Sequence, residues 1–164
     1  MNLFEIAAET LRACRRAEAT IATAESCTGG MIAAALTEVP GSSDVVDRAW
    51  VTYSNQAKRE VLGVRAATLK AHGAVSEAVA REMAEAALKK AKAGIALSVT
   101  GVAGPGGGSA EKPVGLVFIA CALRDGETVV ERRLWRLLEP AADRQRIRLL
   151  TARAALELAT QHLR

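Results

Sequence analysis

The sequence predicts an α/β fold, a three-layer α/β/α sandwich built around a mixed β-sheet. In the first hundred residues, apolar runs of strand length alternate with amphipathic helical segments, as in parallel α/β sheets. Two further strand-like runs then follow one another across an Asp-Gly turn, which adds antiparallel strands. With 164 residues the chain is long enough to bury a substantial core, and we expect a single domain over residues 1–164.

Apolar periodicity predicts the elements of the first part of the chain. Residues 3–16 repeat apolar side chains at helical spacing, and residues 20–24 form a short apolar run typical of a buried strand. Residues 31–36 indicate a second helix. After a Pro-Gly turn, the segment from Val45 to Tyr53 predicts another strand.

The middle of the chain predicts two helices and one strand. A short helix runs from Lys58 to Leu62. Ser76 is a suitable N-cap for a long helix that reaches Lys92 and that Gly94 ends. Residues 95–101 form an apolar run of the buried-strand type.

The last part of the chain predicts a hairpin and a helix. Residues 116–123 and 128–137 are two strands joined by "RDGE", a hairpin signal. A helix follows Pro140. Its residues predicted to face the core are Ile147, Leu150, Ala154 and Leu158.

Composition and charge exclude several classes of protein. The net charge of +4 is mild, and no run of basic residues is interleaved with aromatic ones, so we expect no nucleic-acid partner. No apolar run approaches the roughly 20 residues that a membrane span requires. The N-terminal segment is amphipathic and lacks the apolar core of a signal peptide. We therefore expect no membrane association.

The cysteines and histidines indicate a reduced protein without a metal site. Cys14, Cys27 and Cys121 are an odd number without a Cys-x-x-Cys pair, which favours a cytoplasmic location over a disulfide scaffold. His72 and His162 lie far apart, and neither has a cysteine at metal-ligand spacing. We expect neither a metal nor a cofactor.

The first candidate for chemistry is "TAESCTGG", residues 23–30, where a strand passes into a helix. Ser26, Cys27 and Thr28 would project at the strand's carboxyl end, the usual ligand crevice of α/β sheets. Free amides of the first helical turn near Thr28 could hold an oxyanion or a phosphate there. The structural alternative makes Thr28 a plain N-cap and Glu25 a surface charge.

The second candidate is "VTYSNQAK", which offers Tyr53 and Lys58. Either side chain can take a proton from a serine hydroxyl if its surroundings lower its pKa. The alternatives are a solvated surface lysine and an amphipathic core tyrosine.

The third candidate is the glycine-rich stretch 98–115, "SVTGVAGPGGGSAEKPVG". Its backbone amides, at Gly101 and Gly104 among others, could approach a ligand closely. It is not a Walker A loop, because Gly-Lys-Ser is absent, and Ser109 stands where a dinucleotide fingerprint would need its third glycine. A flexible connection is the structural alternative.

A weaker signal comes from Arg144 and Arg148, four residues apart at the start of the last helix. This spacing places both on one helical face, where two guanidinium groups could clamp a phosphate. A solvated face is the commoner explanation of such a pair.

Taken in order, these segments resemble the CinA C-terminal domain family, the nicotinamide-nucleotide amidohydrolases or NMN deamidases. The motifs that carry the resemblance are "TAESCTGG", "VTYSNQAK", "GAVSEAVA", "SVTGVAGPGGGSAEKPVG" and "ADRQRIR". They span nearly the whole chain, from about residue 4 to residue 162. The chain departs from the family pattern at Gly106, where many members have Asp, and at Ala142, where many have Gly.

The resemblance implies hydrolysis of nicotinamide mononucleotide to nicotinate mononucleotide and ammonia, in pyridine-nucleotide salvage and without a metal. It implies Ser26 as the nucleophile, with Tyr53 and Lys58 as its activators. The implied substrate-binding residues are Thr28, Gly29, Gly30, Thr100, Gly101, Gly104, Arg144 and Arg148. Oligomeric state is left open, with a homo-oligomer as one expectation.

Cys27 competes with Ser26 for the role of nucleophile. A thiol at a helix N-terminus can have a lowered pKa and is intrinsically the stronger nucleophile. A cysteine site usually recruits a histidine, however, and neither histidine lies in a motif segment. We therefore expect Ser26 to be the nucleophile.

Two other functions fit the same motifs. One is a non-catalytic domain that senses a nucleotide or binds a partner and keeps the pocket without turnover. The other is a phosphate-handling enzyme that uses the glycine-rich loop, although no Asp/Glu pair for magnesium accompanies it.

Overall fold

Five strands form one mixed sheet in a computed structural model that describes residues 1–163; Arg164, the last residue of the predicted domain, lies outside them. The strands are β1 (Ile21–Glu25), β2 (Val46–Val51), β3 (Ile95–Gly101), β4 (Leu116–Leu123) and β5 (Val129–Leu134). Their spatial order is β2-β1-β3-β4-β5. β1 pairs in parallel with both β2 and β3, whereas β4 is antiparallel to β3 and β5. The predicted mixed sheet is confirmed.

Helices cover both faces of this sheet and complete the predicted three layers. They are α1 (Leu3–Arg16), α2 (Met31–Glu38), α3 (Asn55–Ala57), α4 (Ala66–His72), α5 (Glu77–Ala91), α6 (Trp135–Leu138) and α7 (Arg144–His162). A 3-10 turn spans Ser42–Asp44, and α3 continues directly into a π-helical turn, Lys58–Leu62. α1, α2 and α7 pack on one face, and α5 packs on the other.

Polar side chains close the amino ends of α1, α5 and α7. Asn2 and Glu5 form a capping box on α1, each accepting a hydrogen bond from the other's backbone amide. Ser76 accepts from the Val79 amide as the predicted N-cap of α5, and Asp143 accepts from the Arg146 amide at the start of α7.

The carboxyl end of α5 differs from the prediction. The helix ends at Ala91, and Lys92 is its C-cap in the left-handed region with φ of +51°. Gly94 does not end the helix. A Cβ atom there would lie 2.6 Å from the Ala19 Cβ, so glycine is needed for close packing beside β1.

Two strand boundaries were also predicted wrongly, and the three short helices α3, α4 and α6 were not predicted. β2 ends at Val51, so Tyr53 lies beyond it, and β5 ends at Leu134 rather than at residue 137. Leu134 pairs with Leu116, the first residue of β4, so the ladder has no partner beyond this point. The chain turns there into α6. α4 was not predicted, because its short segment shows no clear apolar stripe.

The core is built mainly from aliphatic residues. On the predicted inner face of α7, Ile147, Ala154 and Leu158 are buried, whereas Leu150 is only half-buried at the edge of that core. Within residues 1–163, no helix combines the length and apolar character needed to cross a membrane.

Candidate active site

The candidate site lies where the carboxyl ends of the three parallel strands meet. Ser26 follows β1, Tyr53 lies two residues beyond β2, and Gly101 ends β3. Backbone bonds join these segments: the Ser26 amide donates to the Val99 carbonyl at 3.1 Å, and the Thr52 amide donates to the Glu25 carbonyl at 2.9 Å. The topology therefore brings three of the predicted segments to one edge of the sheet, the ligand crevice expected for such sheets.

Ser26 and Lys58 form a close pair at the centre of this edge. Lys58 Nζ lies 3.0 Å from Ser26 Oγ, although the two residues are separated by 32 positions in the chain. Both are buried, with Lys58 only 1% exposed. The pairing of a hydroxyl with an amine at hydrogen-bond distance is the geometry that an activated serine requires.

Burial shifts the protonation equilibrium of Lys58 toward the neutral amine. Its Nζ also contacts the carbonyl oxygens of Thr52 at 2.9 Å and Tyr53 at 3.1 Å, and no carboxylate of residues 1–163 forms an ion pair with it. Burial lowers the pKa of Lys58 below its usual 10.5, because the apolar surroundings penalise the ammonium ion. Nζ is placed to donate to all three oxygens when protonated. A neutral amine has only two N–H groups, so with both carbonyls bound its lone pair would be available to the Ser26 hydroxyl.

Lys58 owes its direction to an irregular helix. Lys58 is the C-cap of α3 and the first residue of the π-helical turn. Gly63 is the C-cap of that turn, with φ of +74°. Ser54 begins α3 by accepting a hydrogen bond from the Ala57 amide at 3.0 Å. π-helical turns occur frequently at functional sites, where the widened turn redirects a side chain.

Glu25, directly before Ser26, is a fully buried carboxylate and not a surface charge. Its oxygens accept hydrogen bonds from the Ile32 amide at 2.9 Å, the Ala33 amide at 3.0 Å and the Thr28 hydroxyl at 2.7 Å. Glu25 therefore caps α2 from outside the helix. The alternative in which Thr28 is the N-cap is wrong: that position is Gly30, which has no side chain to accept a bond.

The capping by Glu25 changes which amides are free to stabilise an oxyanion. The first-turn amides of α2 are occupied by its carboxylate, and the Gly29 amide donates to the Ser26 carbonyl at 3.0 Å. Among residues 1–163, no acceptor lies within hydrogen-bond geometry of the amides of Cys27, Thr28 and Gly30. The free donors beside Ser26 thus belong to the turn and not to the helix.

Consecutive glycines make this turn. Gly29 has φ of +59° and Gly30 has φ of +99°, a backbone region that other residues adopt at a cost. The reversal brings the chain back from Ser26 to the start of α2.

Cys27 is a poor candidate for the nucleophile. Its side chain is buried, and burial raises the pKa of the thiol to about 12. A thiol with such a pKa remains protonated at neutral pH and so lacks the reactivity of a thiolate. Burial of Cys27 thus opposes the lowering of the thiol pKa that a helix N-terminus can produce.

Tyr53 and Arg144 form the outer part of the site. Tyr53 is 58% exposed, and its hydroxyl accepts a hydrogen bond from Arg144 Nη2 at 2.9 Å. Arg144 Nη1 donates to the Gly104 carbonyl at 2.7 Å, so this guanidinium joins the segment after β2 to the glycine-rich loop. The contact with Ser26 is made by Lys58 and not by the Tyr53 hydroxyl.

A cavity of about 280 Å³ opens between these groups. Of the predicted site residues, its lining includes Ser26, Tyr53, Lys58, Thr100, Gly101, Gly104 and Arg144. The Thr100 hydroxyl is held by the Ala74 carbonyl at 2.8 Å. A larger hollow of about 730 Å³ is lined by Pro105–Ala110 of the glycine-rich loop and by residues near α6, but neither Ser26 nor Lys58 lines it.

Four predicted binding residues, Thr28, Gly29, Gly30 and Arg148, lie outside that lining. Thr28 points its hydroxyl at Glu25, and Arg148 donates to the carbonyls of Cys27 and Thr28. Arg144 and Arg148 therefore make different contacts, although their spacing on one helical face predicts a shared role. A phosphate role for Arg148 stays a prediction.

Glu25 is the functional residue whose role sequence reasoning missed. A capping box is recognised from a spacing of three residues, whereas this carboxylate reaches amides seven and eight positions ahead. A usable signal was the absence of any Ser, Thr, Asp or Asn directly before α2. In residues 1–163, no three His, Cys, Asp or Glu side chains cluster as metal ligands would.

Known proteins are similar to this chain over nearly its whole length. The model of the CinA C-terminal domain matches residues 3–163. The nicotinamide-nucleotide amidohydrolase PncC of Escherichia coli (strain K12) is 45% identical over 156 residues, covering 95% of this chain and 92% of that protein. A putative competence-damage inducible protein of Acetivibrio thermocellus is 53% identical over 144 residues, which are 88% of this chain and 33% of that protein. The chain spans about a third of the length of several such relatives.

Crystal structures show the same architecture. The competence/damage inducible protein CihA from Agrobacterium tumefaciens is 48% identical, with a TM-score of 0.91 over 96% of this chain and 93% of that one. The competence damage-inducible protein A from Klebsiella pneumoniae is 40% identical, with a TM-score of 0.92 over 99% of this chain and 98% of that one. The family match and these neighbours agree with the fold and the motif order: the chain belongs to the CinA C-terminal domain family.

Proposed function

We propose that the protein is an amidohydrolase that converts nicotinamide mononucleotide to nicotinate mononucleotide and ammonia. The observation that carries the proposal is the buried contact of 3.0 Å between Ser26 Oγ and Lys58 Nζ, at the edge of a cavity. The likeness to the PncC amidohydrolase over 95% of the chain supports the substrate and the reaction. Such an enzyme serves pyridine-nucleotide salvage.

Acylation begins with proton transfer from Ser26 to Lys58. The neutral amine accepts the hydroxyl proton while Oγ attacks the carboxamide carbon, and the carbonyl electron pair moves onto oxygen. Free backbone amides of the turn after Ser26 stabilise the resulting oxyanion. The lysine ammonium then gives its proton to the amide nitrogen, the C–N bond breaks and ammonia leaves.

Deacylation reverses these roles with water. Water attacks the ester between Ser26 and the nicotinoyl group, and Lys58 takes a proton from the water molecule. Collapse of the second tetrahedral intermediate breaks the ester bond, and Lys58 returns the proton to Ser26 Oγ. The products are free enzyme and nicotinate mononucleotide.

The cavity wall supplies the groups that bind the substrate. The backbone at Gly101 and Gly104 lies close to the cavity, and Thr100 presents its side chain beside them. Gly104 is in the left-handed region with φ of +80°, and a Cβ there would meet Val114 Cγ1 at 2.5 Å. Arg144 is the cation on the wall, and Tyr53 beside it offers a ring for stacking.

The role of Arg144 has a direct kinetic test. We expect Arg144→Ala to raise the KM for nicotinamide mononucleotide at least tenfold, because the guanidinium pairs with the phosphate. The KM for nicotinamide riboside, which lacks the phosphate, should change much less. Steady-state kinetics with both substrates measures this difference, and equal effects on the two would contradict a phosphate role.

Ammonia release from nicotinamide mononucleotide tests the proposed function. Purified protein is incubated with the nucleotide, and ammonia and nicotinate mononucleotide are measured with and without a chelator. We expect stoichiometric release of both products, unchanged by the chelator. Tight binding without release would instead favour a nucleotide-sensing domain.

We also propose that residues 1–164 act as one domain in the cytoplasm. Cys14, Cys27 and Cys121 are all free and buried, which suits a reducing compartment. Light scattering during size-exclusion chromatography tests the remaining expectation of a homo-oligomer.

A further inference from the structure

Arg148 binds two backbone carbonyls of the turn after Ser26. Its Nε donates to the Cys27 carbonyl at 3.1 Å, and its Nη2 donates to the Thr28 carbonyl at 2.9 Å. The guanidinium is partly buried, and it is absent from the residues that line the cavity. A Cβ on Gly29 would stand 3.5 Å from Nη2, in ordinary van der Waals contact, so the guanidinium lies directly against the turn.

This pair of hydrogen bonds fixes the orientation of two peptide groups. In a trans peptide the carbonyl and the following N–H point in opposite directions. Because the Cys27 carbonyl faces Arg148, the Thr28 amide is directed away from it. The peptide group between Thr28 and Gly29 is held in the same way. Its carbonyl faces Arg148, and its Gly29 amide donates to the Ser26 carbonyl at 3.0 Å.

The Thr28 amide is one of three in this turn, with those of Cys27 and Gly30, that have no acceptor among residues 1–163. Thr28 is fully buried, yet its amide has no acceptor among residues 1–163. Buried donors are nearly always paired, and leaving one unpaired costs about 1–3 kcal/mol. An unpaired amide two residues after the nucleophile is a candidate donor to a negative oxygen that exists only during the reaction.

We infer that Arg148 is a positioning residue for the Thr28 amide, which it orients toward the oxyanion formed on attack by Ser26. The inference rests on the proposed amide hydrolysis. It gives Arg144 and Arg148 different roles: Arg144 lines the cavity, whereas Arg148 binds the protein backbone of the turn.

Steady-state kinetics distinguishes this role from binding of the phosphate. We expect Arg148→Ala to lower kcat about 10²- to 10³-fold, the usual loss when an oxyanion donor is removed, with KM changed less than about threefold. Arg148→Lys keeps the charge but not the two-pronged contact, so it should recover less than a tenth of the lost rate. Added guanidinium ion should raise kcat of the alanine variant.

Arg146→Ala is the matched control. Arg146 lies on the same helix, but its guanidinium pairs with the Glu139 carboxylate at 2.6 Å and not with the turn after Ser26. We expect it to keep the kcat and KM of the parent protein. Both alanine variants should show similar unfolding midpoints in urea, which separates a lost rate from lost folding.

A probe without a phosphate gives an independent test. Pyridine-3-boronic acid can form a tetrahedral adduct with a serine hydroxyl, and its boronate oxygen occupies the place of the oxyanion. We expect Arg148→Ala to weaken boronate inhibition by a factor close to its loss in kcat/KM, and Arg144→Ala to leave it nearly unchanged.

Two results would contradict the inference and locate the error. Equal boronate affinity in the parent protein and in Arg148→Ala, together with a raised KM for the nucleotide alone, would overturn the positioning role and leave the proposed function standing. Normal ammonia release by Ser26→Ala would remove the proposed function, and this inference with it.

Discussion

At the scale of single residues, the central feature is Lys58, which is buried with no carboxylate partner among residues 1–163. Transfer of an ammonium ion out of water is costly, so a lysine in these surroundings holds its proton weakly. Lys58 instead has three oxygen neighbours: two backbone carbonyls and the Ser26 hydroxyl. The arrangement suits an amine that alternates between the neutral and protonated forms during a reaction.

The pH dependence of kcat/KM should report on Lys58. The amine acts as a base only when neutral, so activity rises with pH as Lys58 loses its proton. Because burial lowers the pKa of Lys58, this rise should be centred below the usual 10.5. A pH profile of kcat/KM measures its position. Lys58→Arg should lose at least 10²-fold in rate, since a guanidinium does not deprotonate, and normal activity of that variant would refute the role.

Substitution of the neighbouring residues 26 and 27 separates the two candidate nucleophiles. We expect Ser26→Ala to abolish ammonia release while nucleotide binding and unfolding midpoint stay close to those of the parent protein. Cys27→Ala should keep most of the activity, because burial holds the thiol protonated with a pKa of about 12. Ammonia assays and binding by calorimetry decide between them, and a dead Cys27→Ala with an active Ser26→Ala would reverse the assignment.

At the scale of secondary-structure elements, the carboxylate of Glu25 at the end of β1 bonds the first turn of α2. Glu25 bonds two first-turn amides of α2 and the Thr28 hydroxyl, so the turn that carries Ser26 is closed at its base. The helix dipole also favours a negative group in this position. The same contacts stabilise the helix and hold the nucleophile.

Replacement of Glu25 by Gln should lower both stability and rate. The glutamine amide would present N–H groups toward a backbone N–H, leaving one buried donor unpaired at a cost of about 1–3 kcal/mol. We expect that loss in the free energy of unfolding, measured in urea, together with a lower kcat. Glu38→Gln, at the exposed opposite end of α2, should change stability by less than about 0.5 kcal/mol. An unchanged Glu25→Gln protein would contradict this role of the carboxylate.

At the scale of the whole molecule, α7 joins the core to the site. Its amino end carries Arg144 and Arg148, while its inner face packs on α1, α2 and the central strands. Leu156 on that face is fully buried. Packing of the helix therefore determines where both guanidinium groups lie.

Shortening the side chain of Leu156 on α7 should lower the free energy of unfolding substantially. Leu156→Ala removes a buried side chain and leaves a cavity, which costs about 2–5 kcal/mol in cores of this kind. Leu137, which is 76% exposed on α6, provides the matched control, and Leu137→Ala should cost less than about 0.5 kcal/mol. Urea unfolding of both variants measures the difference, and similar midpoints would show that α7 is not a part of the cooperative core.

Local pattern determined most of the fold and the identity of the site segments. The apolar runs of β1 and β3, the Ser76 cap and the Asp-Gly hairpin are short-range signals, and each is present in the structure. Ser26, Lys58 and the glycine-rich loop were likewise recognisable from residue type and motif order. These features depend on a few neighbouring residues, so the sequence contains them directly.

Only the tertiary structure decided how the segments meet. The contact between Ser26 and Lys58, the protonation of Cys27 and the capping by Glu25 depend on burial and on distances between residues remote in sequence. Arg144 and Arg148 are four residues apart on α7, yet Arg144 lines the cavity and Arg148 binds the turn after Ser26. Helical periodicity specifies the direction of a side chain from its own axis, whereas the partner that it reaches depends on how β1 and α7 pack together.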